Sequence, residues 1–228
     1  MTIDAILAID PGPEHSGVVA LWPRGGSCLG RPQVLGCGDM PNEQIRQLLR
    51  KGAASGADFP RSMHLRVRMM WGTVAIEEFR AHGMGHGIAQ ESIETVLQTG
   101  RFYEAARNGM VEQKRAAIRA ERGGEPGDWP SWDIRLIPRP AVLRHFGISP
   151  RKKSKDSLLI DECCKVYVDH SPAHLWQSPI TKGQRAALRR SAKGVKAAPG
   201  PLYGMAGHSW QAFALALAVE AADMGAYL

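Results

Sequence analysis

The sequence has no apolar run long enough to cross a bilayer: the longest, Ala212 to Val219, is eight residues, against the roughly 20 that a spanning helix needs. Met1-Thr2-Ile3-Asp4 places no basic charge ahead of its apolar stretch and no small-residue cleavage site follows, which argues against a secretory signal. Cysteine is scarce. The four residues, Cys28, Cys37, Cys163 and Cys164, include an adjacent pair and no C-x-x-C, so zinc-ribbon spacing and a disulfide framework are both excluded and buried thiols in a reducing compartment are expected. These absences predict a cytoplasmic location. There is no internal repeat and no low-complexity segment. What remains is a chain of 228 residues, 44% hydrophobic and 22% charged, with a mean hydropathy of -0.24. That excludes wholesale disorder and a fibrous repeat, and suits one domain of moderate size or one core with insertions.

The net charge of +7 is uneven. Between Arg139 and Lys196 lie 13 Lys/Arg and 4 Asp/Glu, a balance of +9 that leaves -2 for the rest of the chain. Clusters such as Arg151-Lys152-Lys153-Ser154-Lys155 and Arg185-Ala-Ala-Leu-Arg189-Arg190 are suited to neutralising backbone phosphates, the sequence-independent part of nucleic-acid affinity. A solvated basic face stands beside that reading as an equal alternative.

Ile3 to Asp10 reads as a strand, Pro11 to His15 as a tight turn, and Ser16 to Trp22 as a paired strand. A third strand is predicted at Gln33 to Cys37 and a helix from about Pro41 to Lys51. Gly52 to Trp71 is less regular, then Thr73-Val-Ala-Ile-Glu77 has the pattern of a buried central strand. A glycine-rich loop, Arg80 to Gly87, follows. From Gln90 to about Arg107, the residues Ile93, Val96, Leu97, Phe102 and Ala105 approximate helical spacing, with Gly100 as a place for close packing against another helix. Charged and breaker residues fill Glu112 to Pro130, Ile134 to Ile137 forms a last strand, and Arg139 to Phe146 and Ser154 to Val168 read as helices. Ser171 to Gly207 reads as an elaborate loop, and a helix from about His208 to Tyr227 closes the chain.

Two carboxylates carry the chemistry of this pattern: Asp10 at the end of the first strand and Glu77 at the end of a later one. Functional groups of α/β sheets gather beyond the carboxyl ends of the strands, so acids far apart in sequence can share a site there. Hard oxygen ligands suit Mg²⁺ or Mn²⁺, and two such ions about 3.5–4 Å apart activate a water and stabilise the leaving oxygen in phosphodiester hydrolysis. The plainer alternative has Asp10 accepting hydrogen bonds from the Pro11-Gly12 turn and Glu77 as a surface strand end.

Ile6-Leu-Ala-Ile-Asp10-Pro-Gly12, with Ser16-Gly17 opening the next strand, resembles the first motif of the RuvC family of Holliday junction resolvases. Ala75-Ile-Glu77 resembles its second acidic motif. Gln98-Thr-Gly-Arg-Phe-Tyr-Glu-Ala-Ala106 is similar to its long central helix, Gly147-Ile-Ser-Pro-Arg-Lys-Lys-Ser-Lys155 to its basic segment, and His208-Ser-Trp-Gln211-Ala-Phe-Ala-Leu-Ala216 to its closing helix. The five stretches stand in the family's order, with apparent insertions at about 52–72, 112–132 and 171–205 in a single RuvC-like nuclease domain spanning 1–228. The resemblance implies an α/β, RNase H-like fold, a mixed five-stranded sheet flanked by helices with basic loop insertions, and a homodimer acting on branched DNA such as four-way junctions. By the same resemblance Asp10 bridges two ions, Mg²⁺ or Mn²⁺, Glu77 ligates one of them, and His208 takes the first ligand position of the closing helix. Gln211 stands where the family has a further acid. Lys153 and Lys155 are expected near the scissile phosphate, Lys155 matching the pattern better, with Arg151 and Lys152 beside them on DNA. Phe79 and Arg80 occupy the place where the family touches the branch point, and an aromatic there can stack on an unpaired base; a core phenylalanine is the alternative. Glu78, on the opposite side of a continuing strand, is the second choice of acid.

Other motifs fail. Gly12-x-x-x-x-Gly17 lacks the Lys-Ser/Thr of a nucleotide P-loop, and Gly207-His-Ser-Trp-Gln211 lacks the last glycine of a nucleophile elbow. His82 and His86 are separated by Gly-Met-Gly, which disfavours a helical zinc pair. Three functions are therefore in competition. A metal-dependent, structure-selective DNA endonuclease leads; a branched-DNA-binding protein with weak or no cleavage because of Gln211 comes second. An ATP-dependent phosphotransferase of the actin and sugar-kinase superfamily comes third, without the second Asp-x-Gly that it needs.

Overall fold

In the computed structural model, β1 (Thr2–Asp10) lies at the centre of the sheet. It pairs antiparallel with β2 (His15–Trp22), which pairs antiparallel with β3 (Gln33–Pro41). On its other side β1 runs parallel to β5 (Arg68–Glu78). The structure describes residues 2–24, 31–62, 67–79, 90–120, 132–168, 182–195 and 197–223. The lane beyond β5 is shared. β4 (Ala53–Ser55) pairs antiparallel with its first residues, and β6 (Asp133–Pro138) runs parallel to Thr73–Glu78. The sheet is thus five lanes wide and built from six strands. This order, with three antiparallel strands continued by two parallel ones, is the RNase H-like arrangement.

Alternation along β1 sends its two faces into two cores. Ala5, Leu7 and Ile9 pack with Val18, Leu35, Val74 and Ile76 beneath α1 (Asn42–Lys51) and α2 (Gln90–Ala120). Ile6 and Ala8 pack with Val19, Ala75 and Ile137 beneath α3 (Arg139–His145), α4 (Lys155–Val168), α5 (Lys182–Lys193) and α6 (Ser209–Asp223). α6 is apolar on nearly every side because it is covered on every side. Phe213, Leu215 and Val219 have no exposed surface, and each such side chain contributes about 1.5–3 kcal/mol by burial.

Several expectations need correction. β5 begins at Arg68, five residues before Thr73, because Gly72 is accommodated as a bulge: Ala5 pairs with Trp71 while Ile6 pairs with Thr73. α2 runs past Arg107 to Ala120, absorbing the first residues of the charged stretch, where Arg115 pairs with Glu112 one turn away. Its residues divide between two faces: Phe102, Ala105 and Ala106 are buried, whereas Ile93, Val96 and Leu97 are exposed. Gly100 faces open space. Gly109 is the close approach, where an added Cβ would collide with the Leu49 carbonyl oxygen of α1. The stretch 171–207 holds α5 and a small hairpin, β7 (Gly194–Val195) with β8 (Ala198–Pro199), so Ile134–Ile137 is not the last strand. Cys37, Cys163 and Cys164 are buried free thiols. Among the described residues no helix is long and apolar enough to cross a membrane.

Candidate active site

One row across the sheet sets the site. Asp39 of β3 pairs with Gly17 of β2, and Gly17 with Asp10. Asp10 follows Ile9, which is level with Ile76, so Glu77 stands beside it on the parallel strand; Glu77 in turn pairs with Ile137. Because Ile6, Ala8 and Ala75 face α6, the alternation turns Asp10 and Glu77 to that same side. Both are nearly buried, at 7% and 5% exposure. Glu77 is therefore no surface strand end.

The turn after Asp10 is held by side chains other than its own. Gly12 N–H donates to Ser16 Oγ at 3.0 Å, Ser16 Oγ donates to Asn42 Oδ1 at 2.6 Å, and Asn42 Nδ2 donates to the Gly12 and Pro13 carbonyls at 3.0 Å each. Asp10 is left to face His208, whose Nδ1 lies 2.8 Å from Asp10 Oδ2. His208 precedes α6, and its carbonyl accepts the first helical bonds, from Gln211 N and Ala212 N at 3.1 Å. This end of α6 rests on Gly17: an added Cβ there would collide with the His208 carbonyl group and lie 2.6 Å from Ser209 N. Asp39 Oδ1 accepts from Ser209 N at 3.1 Å, an acid at a helix N-terminus.

The reading from sequence missed Arg139. It opens α3 directly after β6, the strand beside β5, and its Nη1 lies 3.2 and 3.5 Å from the two Glu77 carboxylate oxygens. Its Nη2 donates to Asp156 Oδ1 at 2.6 Å. Burial pushes the Glu77 carboxyl up to about 7, the charge of Asp10 adds to this, and Arg139 opposes both. Desolvation and like charge thus outweigh a long ion pair made through one guanidinium nitrogen. The hydrogen bond to Asp10 raises the pKa of His208 against the opposing effect of burial. A basic residue directly after a strand end was the available signal for Arg139; Asp156 and Asp39 gave none.

The other predicted residues fall as follows. Gln211 is the third residue of α6, on the side of the helix that carries His208, and its Oε1 is buried without a hydrogen-bond partner. Lys155 is the half-buried first residue of α4, next to Asp156, and Arg151, Lys152 and Lys153 are exposed in the turn before it. Phe79, two residues past Glu77, is 39% exposed and not a core residue. Glu78 is half-buried, on the opposite face to Glu77 by alternation. Arg80, His82, His86 and the glycine-rich loop lie outside the described residues. The second basic cluster is in part structural: Arg189 Nε donates to the buried Asp161 Oδ1 at 2.7 Å and Arg185 Nε lies 3.5 Å from Oδ2, joining α5 to α4.

Among the described residues no three His, Cys, Asp or Glu side chains converge closely enough to enclose a metal ion. The donors nevertheless fit a hard cation. Two nearly buried carboxylates repel each other on neighbouring strands, and the buried Gln211 Oε1 is a neutral oxygen with no other partner. Oxygen donors of this kind are what Mg²⁺ and Mn²⁺ take.

The sequence matches no family model and no curated protein. Among solved structures, the chain is similar to RuvC of Thermus thermophilus, with a TM-score of 0.45 and 15% identity over 97% of this chain and 96% of that one. It is similar also to T. thermophilus RuvC in complex with a Holliday junction substrate, with a TM-score of 0.44 and 14% identity over the same shares of each chain.

Proposed function

We propose that residues 1–228 form one RuvC-like nuclease domain that cleaves Holliday junctions or other branched DNA in a reaction dependent on Mg²⁺ or Mn²⁺. The observation that carries this reading is the placement of Asp10 and Glu77, two nearly buried acids that directly follow the paired Ile9 and Ile76 at the carboxyl ends of parallel central strands. Burying two like charges is costly unless a cation relieves them. The bound ion would supply an activated water and stabilise the leaving oxygen. Asp10, Glu77 and Gln211 would hold it; His208, a further ligand by the RuvC resemblance, lies 2.8 Å from Asp10 Oδ2 and would fix that carboxylate. Lys155, with Arg151, Lys152 and Lys153, would grip the DNA backbone, and Phe79 would stack on an unpaired base at the branch point.

The partner in solution is a second copy of the chain, packed through the outer face of α2. Ile93, Val96, Leu97 and Tyr103 are exposed there on successive turns, with Gly100 open between them. Two symmetric cuts require two sites related by a two-fold axis.

The test is Asp10→Asn. Cleavage of a synthetic four-way junction should fall by at least a thousandfold while junction affinity changes less than about threefold, because phosphate contacts elsewhere dominate binding. Undiminished cleavage in a preparation free of contaminating nuclease would overturn the assignment. A second reading, a junction-binding protein that cuts poorly, is favoured by the neutral Gln211 and by Arg139 on Glu77. Wild type that binds the junction tightly and leaves it intact with either metal would establish that reading instead.

A further inference from the structure

We propose that Arg139 takes the place of a second cation, so that each site holds one divalent ion and not the two that the RuvC resemblance implies; this rests on the reading of Asp10 and Glu77 as ion ligands. A two-ion site needs one carboxylate between the ions and further donors on either side, at an ion separation of about 3.5–4 Å. Those outer donors are committed here. Both oxygens of Glu77 lie within 3.5 Å of the Arg139 guanidinium, and Asp156 is bonded to the same group at 2.6 Å. Asp10 Oδ2 is engaged by His208 and Asp39 Oδ1 by the start of α6. Position 211 offers an amide in place of an acid.

The charge count agrees. A guanidinium cannot shed its proton, so two divalent ions beside Arg139 would set five positive charges against the four carboxylates of Asp10, Glu77, Asp156 and Asp39, whereas one ion sets three against four. Nor is Arg139 a loop residue that happens to fold inward. It begins α3 immediately after Pro138, which is paired with Glu78 on β5, so the backbone that carries it is fixed to the strand that carries Glu77. Its side chain is 27% exposed and held at two points.

Ion stoichiometry tests this without recourse to cleavage. Mn²⁺ is titrated into the full-length protein without DNA, with bound ion counted by calorimetry and its spectrum recorded by electron paramagnetic resonance. Wild type should bind one Mn²⁺ per chain with the six-line spectrum of an isolated ion, and Asp10→Asn should lose it. Arg139→Gln should admit a second ion and show the broadened spectrum of a coupled pair, whereas Arg139→Lys, which keeps the charge, should hold one. A coupled pair in wild type would overturn the proposal and leave the metal-dependent reading standing. One ion in a folded Arg139→Gln protein would remove Arg139 as the cause and likewise overturn it. No binding in wild type or Arg139→Gln at millimolar Mn²⁺, or binding unchanged in Asp10→Asn, would sink the reading of Asp10 and Glu77 as ligands and the proposal with it.

Discussion

Gly17 stands between Asp39 and Asp10 in the carboxylate row, and the N-terminal end of α6 lies directly on it. A methyl group there would meet backbone, which cannot rotate away as a side chain could. Overpacking of this kind costs about 1–3 kcal/mol. It would also lift His208 from Asp10, and small displacements of a catalytic group can cost 100-fold in rate. Gly17→Ala should therefore lower the urea midpoint and reduce single-turnover cleavage by about 100-fold, where a neutral surface glycine would change neither. Asp10 and Glu77 were legible in the sequence because each ends an apolar run, and strand-end acids converge in α/β sheets whatever lies between them. Asn42, Arg139 and Asp156 were not. Each acts through a partner at least 17 residues away, Asn42 on Ser16, Arg139 on Glu77 and Asp156 on Arg139, and only the packing of the elements brings those pairs together.

At the scale of elements, local pattern succeeded where turn residues bound a segment cleanly and failed for α2 and α5. β1, β2, β6 and α4 lie close to their expected bounds. α2 reads as one amphipathic face in sequence, yet its apolar residues serve two: an inner stripe through Phe102, Ala105 and Ala106, and an outer one through Ile93, Val96 and Leu97. α5 was hidden by Pro and Gly on either side of it. Its pattern becomes plain with the partner in view, since Arg185 and Arg189 are four apart and converge on Asp161 of α4. The outer stripe of α2 gives the prediction of this scale. Leu97 is 51% exposed at its middle, and a charge buried there in a two-fold contact would face its own copy. Leu97→Glu should convert the proposed homodimer to a monomer in sedimentation at micromolar concentration, with the thermal midpoint of the isolated chain little changed. Wild type that sediments as a monomer with and without junction DNA would remove the dimer.

For the whole molecule, the basic surplus splits into a structural and a free part. Arg189 and Arg185 are spent on Asp161, and Arg139 on Glu77 and Asp156, whereas Arg151, Lys152 and Lys153 are exposed. Lys152→Glu/Lys153→Glu/Lys155→Glu should therefore flatten the salt dependence of junction binding by about 0.9 in log–log slope for each phosphate that the lysines no longer neutralise; an unchanged slope would make this turn a merely solvated surface. The thiols give a second whole-molecule property. Burial holds Cys37 at about 11 and Cys164 at about 12, and Cys163 well above the ordinary value of 9.0. Above that value the unfolded chain loses its thiol protons while the folded chain keeps them, so the folded state binds more protons and stability falls as pH rises. Each thiol should take away about 1.4 kcal/mol per pH unit from near pH 9 until its own folded value is reached. Cys37→Ala/Cys164→Ala starts from lower stability, because two cavities are left in the core, but its loss between pH 9 and 11 should be shallower, because two of the buried thiols no longer take part. Lysines and tyrosines titrate alike in both proteins and cancel in the comparison. Urea melts of the two proteins under reducing conditions at pH 8, 9, 10 and 11 measure the difference in slope, and parallel losses would mean that these thiols ionise as readily folded as unfolded.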